Sequence, residues 1–72
     1  MNTNNLRKVR LERGMSLSEL SRRTKISRVT LTKIENGDTN PTIKTVTSIC
    51  NVLDRSPNDI FFTNLVNQEL QR

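Results

Sequence analysis

Helix-capping residues divide this chain into short segments, and that division restricts the possible folds more than any other feature. Ser16, Ser27 and Ser56 each precede a run with helical periodicity, where a serine hydroxyl can accept a hydrogen bond from a backbone amide. Gly14 and Gly37 stand where helices should end, because glycine adopts the left-handed conformation of a helix C-terminus without strain. No segment alternates like a strand. The pattern predicts an all-α fold of five helices.

The apolar positions give each helix one buried face. The first helix is predicted to run through Arg13, and a capping box formed by Ser16 and Glu19 is predicted to start the second. Pro57 suits the first turn of a fifth helix, predicted over about 57–70. The predicted core residues of the first four helices are Leu6, Val9, Leu17, Leu20, Leu31, Ile34, Ile43, Val46, Ile49, Cys50 and Leu53. We expect residues 1–72 to form a single domain.

The composition excludes several classes of protein. One cysteine and no histidine leave no internal disulfide and no ordinary zinc site among the 72 residues. Without a signal-like or membrane-spanning apolar run, we expect the chain in the cytoplasm. A glycine-rich phosphate loop and usefully spaced carboxylates are both missing, and Cys50 falls on an apolar stripe. We therefore expect neither an enzyme nor a bound cofactor.

The positive charge is confined to the first half of the sequence. Residues 1–36 hold nine Lys and Arg against three Glu, a net charge of +6, whereas residues 37–72 hold three against four, a net charge of −1. A charge needed only for solubility has no reason to segregate in this way. The distribution therefore favours a nucleic-acid partner over a merely solvated basic face.

Helical geometry identifies the exposed face of the third helix. Steps of about 100° per residue place Leu31 and Ile34 toward the core. The opposite face carries Val29, Thr32, Lys33 and Asn36, and Arg28 stands at the start of the helix. Arg28 and Lys33 suit guanine or phosphate, Val29 suits a thymine methyl group, and Thr32 suits either base or phosphate. Glu35 flanks the buried side, where we expect it to pair with Arg10 of the first helix.

Four stretches resemble the Cro and phage-repressor helix-turn-helix family. They are RGMSLSELS at 13–21, ISRVTLTKIENG at 26–37, NPTI at 40–43 and NDIF at 58–61. The resemblance implies a five-helix, lambda-repressor-like fold and a two-fold dimer on an inverted-repeat operator in double-stranded DNA. It implies base reading by Arg28, Val29, Thr32 and Lys33, and an Arg10–Glu35 scaffold pair. Contacts to the DNA backbone are expected from Leu17 through its amide, and from Arg23, Ser27, Asn36, Thr39 and Asn40.

The sequence departs from the family pattern at two positions. Leu17 stands where glutamine is common, and Lys25 occupies the turn position usually held by glycine. Lys25 must therefore either adopt a positive φ or alter the turn.

The tail NDIFFTNLVNQEL at 58–70 looks like the last helix of restriction-modification controller proteins. The predicted dimer interface comprises Phe61, Phe62, Leu65, Val66 and Leu70, because these apolar groups need a cover. A controller protein and a prophage or mobile-element regulator both remain open, as do activation and repression. RNA polymerase is a further candidate partner. The alternative is an antitoxin-like or adaptor module that binds another protein through this end.

Overall fold

The computed structural model describes residues 4–62, in which all regular secondary structure is helical. The five helices are α1 (Leu6–Glu12), α2 (Leu17–Thr24), α3 (Arg28–Asn36), α4 (Ile43–Leu53) and α5 (Pro57–Ile60). The all-α, five-helix prediction is confirmed. Helix α1 ends one residue before the predicted Arg13, which is its C-cap.

Side-chain caps start four of the five helices. Ser16 Oγ accepts from the Glu19 amide at 3.0 Å and Ser27 Oγ from the Thr30 amide at 3.1 Å. Thr42 caps α4 in the same way. A complete capping box, in which both side chains bond to the backbone, forms between Ser56 and Asp59 at α5.

The capping box predicted at the start of α2 is only half formed. The Ser16 hydroxyl plays its part, but the Glu19 carboxylate bonds Arg23 at 2.7 Å. Arg23 lies one helical turn further along, where an arginine is a favourable partner for a glutamate four residues earlier.

A single core of ten buried apolar residues holds the helices together. They are Leu6, Val9, Leu20, Leu31, Ile34, Val46, Ile49, Cys50, Leu53 and Ile60. Leu17 packs against this core while remaining partly exposed. The prediction for Ile43 is wrong, because its residue is 86% exposed. Ile43 is the first residue of α4. The apolar stripe in the sequence includes it, but the surface of α4 that packs on the core begins only further along the helix.

The N-terminal segment fastens the start of α1 to two other helices. Asn4 Oδ1 accepts from the Leu6 amide, while Asn4 Nδ2 donates to the carbonyl of Ile34 near the end of α3 at 2.8 Å. The Asn5 amide donates to the Ile60 carbonyl at 2.7 Å. These bonds orient α3 relative to α1 and α5.

The fifth helix is shorter than the predicted 57–70. It ends at Ile60, and Phe61 and Phe62 form a turn and a bend. The predicted continuation of this helix through Phe61 and Phe62 is therefore wrong, and the rest of the predicted helix, with the possible interruption at Thr63 and Asn64, lies outside the described residues. The predicted interface residues Leu65, Val66 and Leu70 lie outside the described residues. None of the helices within residues 4–62 is long and apolar enough to cross a membrane.

Candidate nucleic-acid interface

The turn between α2 and α3 is fixed by two features. Thr24 Oγ1 donates to the Leu20 carbonyl at 2.7 Å and accepts from the Ile26 amide at 3.3 Å. Lys25 takes the left-handed conformation, with φ 63° and ψ 26°, so it adopts the positive φ that the family's glycine would otherwise supply. The turn keeps its shape at the expense of some strain at Lys25.

Helix α3 presents one face to the core and one to solvent. Leu31, Ile34 and Glu35 are buried. On the other side Val29 is 66% exposed, which has no folding advantage for an apolar β-branched residue. Arg28, Lys33 and Asn36 are exposed as well, and Thr32 is half-buried. The four side chains predicted to read bases therefore share the accessible side of the helix.

The predicted partner of Glu35 is in contact with it, and a second arginine joins the pair. Arg10 Nε donates to Glu35 Oε2 at 2.7 Å, and Arg10 Nη2 lies 3.3 Å from Oε1. Arg10 also donates from Nη1 to the Met15 carbonyl at 2.8 Å. Arg7 Nε contacts Glu35 Oε1 at 3.3 Å from a side chain that is 58% exposed. The buried carboxylate thus joins α3 to α1 through two cations.

Three exposed cations elsewhere within residues 4–62 lie within 4.0 Å of a carboxylate. Arg13 pairs with Asp54 at 3.8 Å, Arg23 with Glu19 at 2.7 Å, and Arg55 with Glu12 at 3.9 Å. Six cations have no carboxylate within 4.0 Å among residues 4–62: Lys8, Arg22, Lys25, Arg28, Lys33 and Lys44. Both cations of the accessible α3 face belong to this group.

The sequence predicts Arg23 at the DNA backbone; its side chain forms an ion pair with Glu19, whereas the neighbouring Arg22 has no carboxylate within 4.0 Å among residues 4–62. Glu19 and Arg23 are four residues apart on one helix. This spacing is the sequence signal that could have predicted their ion pair.

The other residues predicted to contact the DNA backbone differ in how accessible their side chains are. Asn36, Thr39 and Asn40 are exposed around the C-terminal end of α3 and the loop that follows it. Ser27 is exposed, but its hydroxyl caps α3 and bonds Thr30 Oγ1 at 2.9 Å. Leu17 has its side chain against the core, and its amide belongs to the first turn of α2.

One contact at this surface has no counterpart among the sequence-based predictions. Arg28 Nη1 donates to Ser18 Oγ on α2 at 3.1 Å. No sequence pattern identifies this bond, because it depends on the distance between two helices.

An apolar groove of about 490 Å³ lies between the α3–α4 loop, α4 and α5. Its lining includes Pro41, Ile43, Val46, Phe61 and Phe62. Phe62 is 39% exposed and forms a tilted pair with Phe61, the ring centroids being 6.5 Å apart. Within residues 4–62, no group of three His, Cys, Asp or Glu side chains is placed to hold a metal ion.

Two short helices joined by a fixed turn, with the second exposing cations and polar groups, define a helix-turn-helix DNA-binding protein. Residues 6–60 match the family model described as Helix-turn-helix, HTH_3. The chain belongs to this family of Cro/C1-type transcriptional regulators. None of the curated proteins matches the chain significantly in sequence.

Solved structures of the same fold include two restriction-modification controller proteins. C.Esp1396I is 31% identical with a TM-score of 0.69, over 93% of this chain and 86% of that one. C.AhdI from Aeromonas hydrophila is 24% identical with a TM-score of 0.72, over 76% of this chain and 83% of that one, a likeness of fold alone.

A third similar structure is a complex of the SinR and SinI proteins. The match is 34% identical with a TM-score of 0.72 and covers 81% of this chain. It covers 57% of that chain, so this chain spans little more than half of the relative's length.

Proposed function

We propose that this regulator binds an inverted-repeat operator in double-stranded DNA as a homodimer, with α3 of each copy in the major groove of one half-site. The observation that carries the proposal is the accessible face of α3, where Arg28 and Lys33 have no carboxylate partner within residues 4–62. Two cations without a counter-charge and an exposed Val29 do not stabilise the fold. They do suit the binding of a polyanion such as DNA.

Each accessible side chain of α3 then has a role set by its chemistry. Arg28 and Lys33 donate to guanine O6 and N7 or to phosphate, and Val29 packs on a thymine methyl group. Thr32 contacts either a base or a phosphate. Asn36, Thr39 and Asn40 bind the DNA backbone and fix the register of α3, as does Arg22 in place of Arg23.

The support for the homodimer is the apolar groove, together with the two-fold symmetry of the proposed inverted repeat. A two-fold contact brings the same patch of both copies together. The exposed surface that contains Phe62 and Ile43 in each copy is then covered by the same surface of the other copy. Phe61, Phe62, Leu65, Val66 and Leu70 are the interface residues in this proposal. Half-site centres about 34–36 Å apart suit such a dimer on B-DNA.

The biological setting we favour is control of a restriction-modification system, in the cytoplasm. The support is the likeness to C.Esp1396I, which extends over most of both chains. A prophage or mobile-element regulator would use the same surface. RNA polymerase is the partner expected of an activator and is not required for a repressor.

The test of DNA reading is selection of bound sequences from random duplex DNA, followed by the same selection with Arg28→Ala. The variant should lose about 1–3 kcal/mol of discrimination at one symmetric pair of positions and keep its helix content. Arg55→Ala is the matched control, because Arg55 is also exposed but is paired with Glu12. Unchanged sequence preference in Arg28→Ala would exclude α3 as the reader.

The test of the homodimer is sedimentation of Phe62→Asp beside Leu11→Asp. Both replace an exposed apolar side chain, but Leu11 lies on α1 and not on the groove. Only Phe62→Asp should shift the protein toward monomer. Equal behaviour of the two variants places the interface elsewhere.

The alternative is an adaptor that binds a different protein through the groove. This alternative is supported by the likeness to the SinR and SinI complex and by the groove itself. Size in solution discriminates between the two, because an antitoxin-like or adaptor module predicts a hetero-complex with its protein partner and a regulator predicts a homodimer.

A further inference from the structure

A hydrogen bond joins the two helices of the motif where α3 begins. Arg28 Nη1 donates to Ser18 Oγ at 3.1 Å, and within residues 4–62 the Arg28 side chain makes no other hydrogen bond. We propose that Ser18 is a positioning residue that determines specificity by holding the Arg28 guanidinium in the orientation used for base contact. The inference rests on the proposed function.

The kind of partner that holds Arg28 matters for its charge. On α2, the helix that also carries Ser18, the Glu19 carboxylate bonds Arg23 at 2.7 Å and so offsets the charge of that arginine. Ser18 instead offers a hydroxyl oxygen, which orients the guanidinium through a dipole and leaves its full positive charge. An arginine held in this way keeps its attraction for guanine and phosphate.

The hydrogen bond leaves the rest of the guanidinium available. A guanidinium has five N–H donors in a rigid plane, so a bond at Nη1 leaves the Nε and Nη2 groups for a pair of bonds to guanine O6 and N7. The backbone of Arg28 is also fixed, because Ser27 caps the helix at the preceding residue. With both ends of the side chain anchored, Arg28 loses less rotamer freedom when it binds a base.

The position of Ser18 on α2 agrees with this role. Ser18 and Arg22 are four residues apart and therefore share one side of the helix, whereas Leu20 and Thr24 are buried on another. Arg22 has no carboxylate within 4.0 Å among the described residues. The Ser18 side of α2 thus continues the uncompensated basic surface of α3.

The experiment compares Ser18→Ala with Ser18→Thr, which keeps the hydroxyl. Affinities are measured for the selected operator and for its single base-pair variants at the position that Arg28→Ala relaxes. Ser18→Ala should lower discrimination there by about 2- to 10-fold, with thermal stability and non-specific DNA affinity unchanged. Ser18→Thr should restore most of the discrimination. In an Arg28→Ala background, Ser18→Ala should have no further effect on it.

Each other outcome overturns the inference. A loss that persists in the Arg28→Ala background means that Ser18 contacts DNA by itself. A tighter operator complex with unchanged preference means that the bond holds Arg28 away from DNA. If Arg28→Ala relaxes the preference and Ser18→Ala does not, this inference fails and the proposed function stands. If the unmodified protein shows no sequence preference, both fail.

Discussion

The two faces of α3 both carry charged side chains, but the charges are paired on the buried face and unpaired on the accessible face. On the buried face Glu35 is 1% exposed and contacts both Arg10 and Arg7, so its negative charge is compensated by two cations. On the accessible face Arg28 and Lys33 have no carboxylate within 4.0 Å among residues 4–62. The contrast indicates that paired charges hold the helix in place, whereas uncompensated charges are available to a partner.

The largest effect we expect concerns the unpaired cations. If a dimer neutralises roughly 6–10 phosphates, DNA affinity should fall on the order of 10³-fold or more between about 50 and 200 mM salt. Fluorescence anisotropy at several salt concentrations measures the slope, and Arg22→Ala should flatten it more than Arg23→Ala. A salt-independent affinity would contradict the comparison between the two faces.

The next effect concerns the buried face. Glu35→Ala should lower the free energy of unfolding by about 3 kcal/mol, because it leaves the buried Arg10 guanidinium without its counter-charge. In a domain of this size each kcal/mol corresponds to roughly 4–8 °C in Tm. Arg7→Ala should have a much smaller effect, since Arg7 is mostly exposed.

A double-mutant cycle checks that the effect of Glu35→Ala comes from the pair. The Arg10→Ala, Glu35→Ala double mutant should lose less than the sum of the single mutants, with a coupling of about 1–3 kcal/mol. Glu35→Gln is the control for shape. Additive losses would mean that the contact contributes nothing to stability.

A smaller effect is expected at Val29. Val29→Ala should reduce discrimination between thymine and uracil at one operator position, because uracil lacks only the methyl group, with an effect of roughly 1 kcal/mol. Titration of operators with uracil at single positions measures it, and the Tm should hardly change. Equal discrimination by the variant and the parent would assign Val29 to the ordinary exposed apolar residues.

The smallest effect is a pH dependence of stability at the buried Cys50 of α4. Burial, and secondarily the charge of Asp59, raise the pKa of the Cys50 thiol above its usual value of 9.0. The unfolded chain therefore loses this proton first as the pH rises, so the stability contributed by the neutral thiol is complete below pH 9 and declines above it. Urea unfolding at several pH values should show a decline that is shallower in Cys50→Ala.

Much of this arrangement could be predicted from local rules. The caps at Ser16, Ser27 and Ser56 act on the nearest free amides, so the sequence alone locates them. The facing of α3 follows from helical periodicity, and the resemblance to the Cro and phage-repressor family adds the pairing of Glu35 with Arg10 of α1.

The remaining features depend on distances between elements or on competition between partners. Periodicity does not reveal where a packing surface ends, so it places Ile43 in the core and extends α5 past Ile60, and both predictions are wrong. Glu19 has two possible partners within one turn of helix and bonds Arg23. The Ser18–Arg28 bond needs the separation of two helices, which no local rule supplies.

The bond between the Asn5 amide and the Ile60 carbonyl makes the described chain nearly a closed ring. Where two ends of a fold lie together, a short linker can join them and the chain can be reopened elsewhere without changing its contacts. The order of the helices along the chain is thus less essential to this architecture than their arrangement around α3.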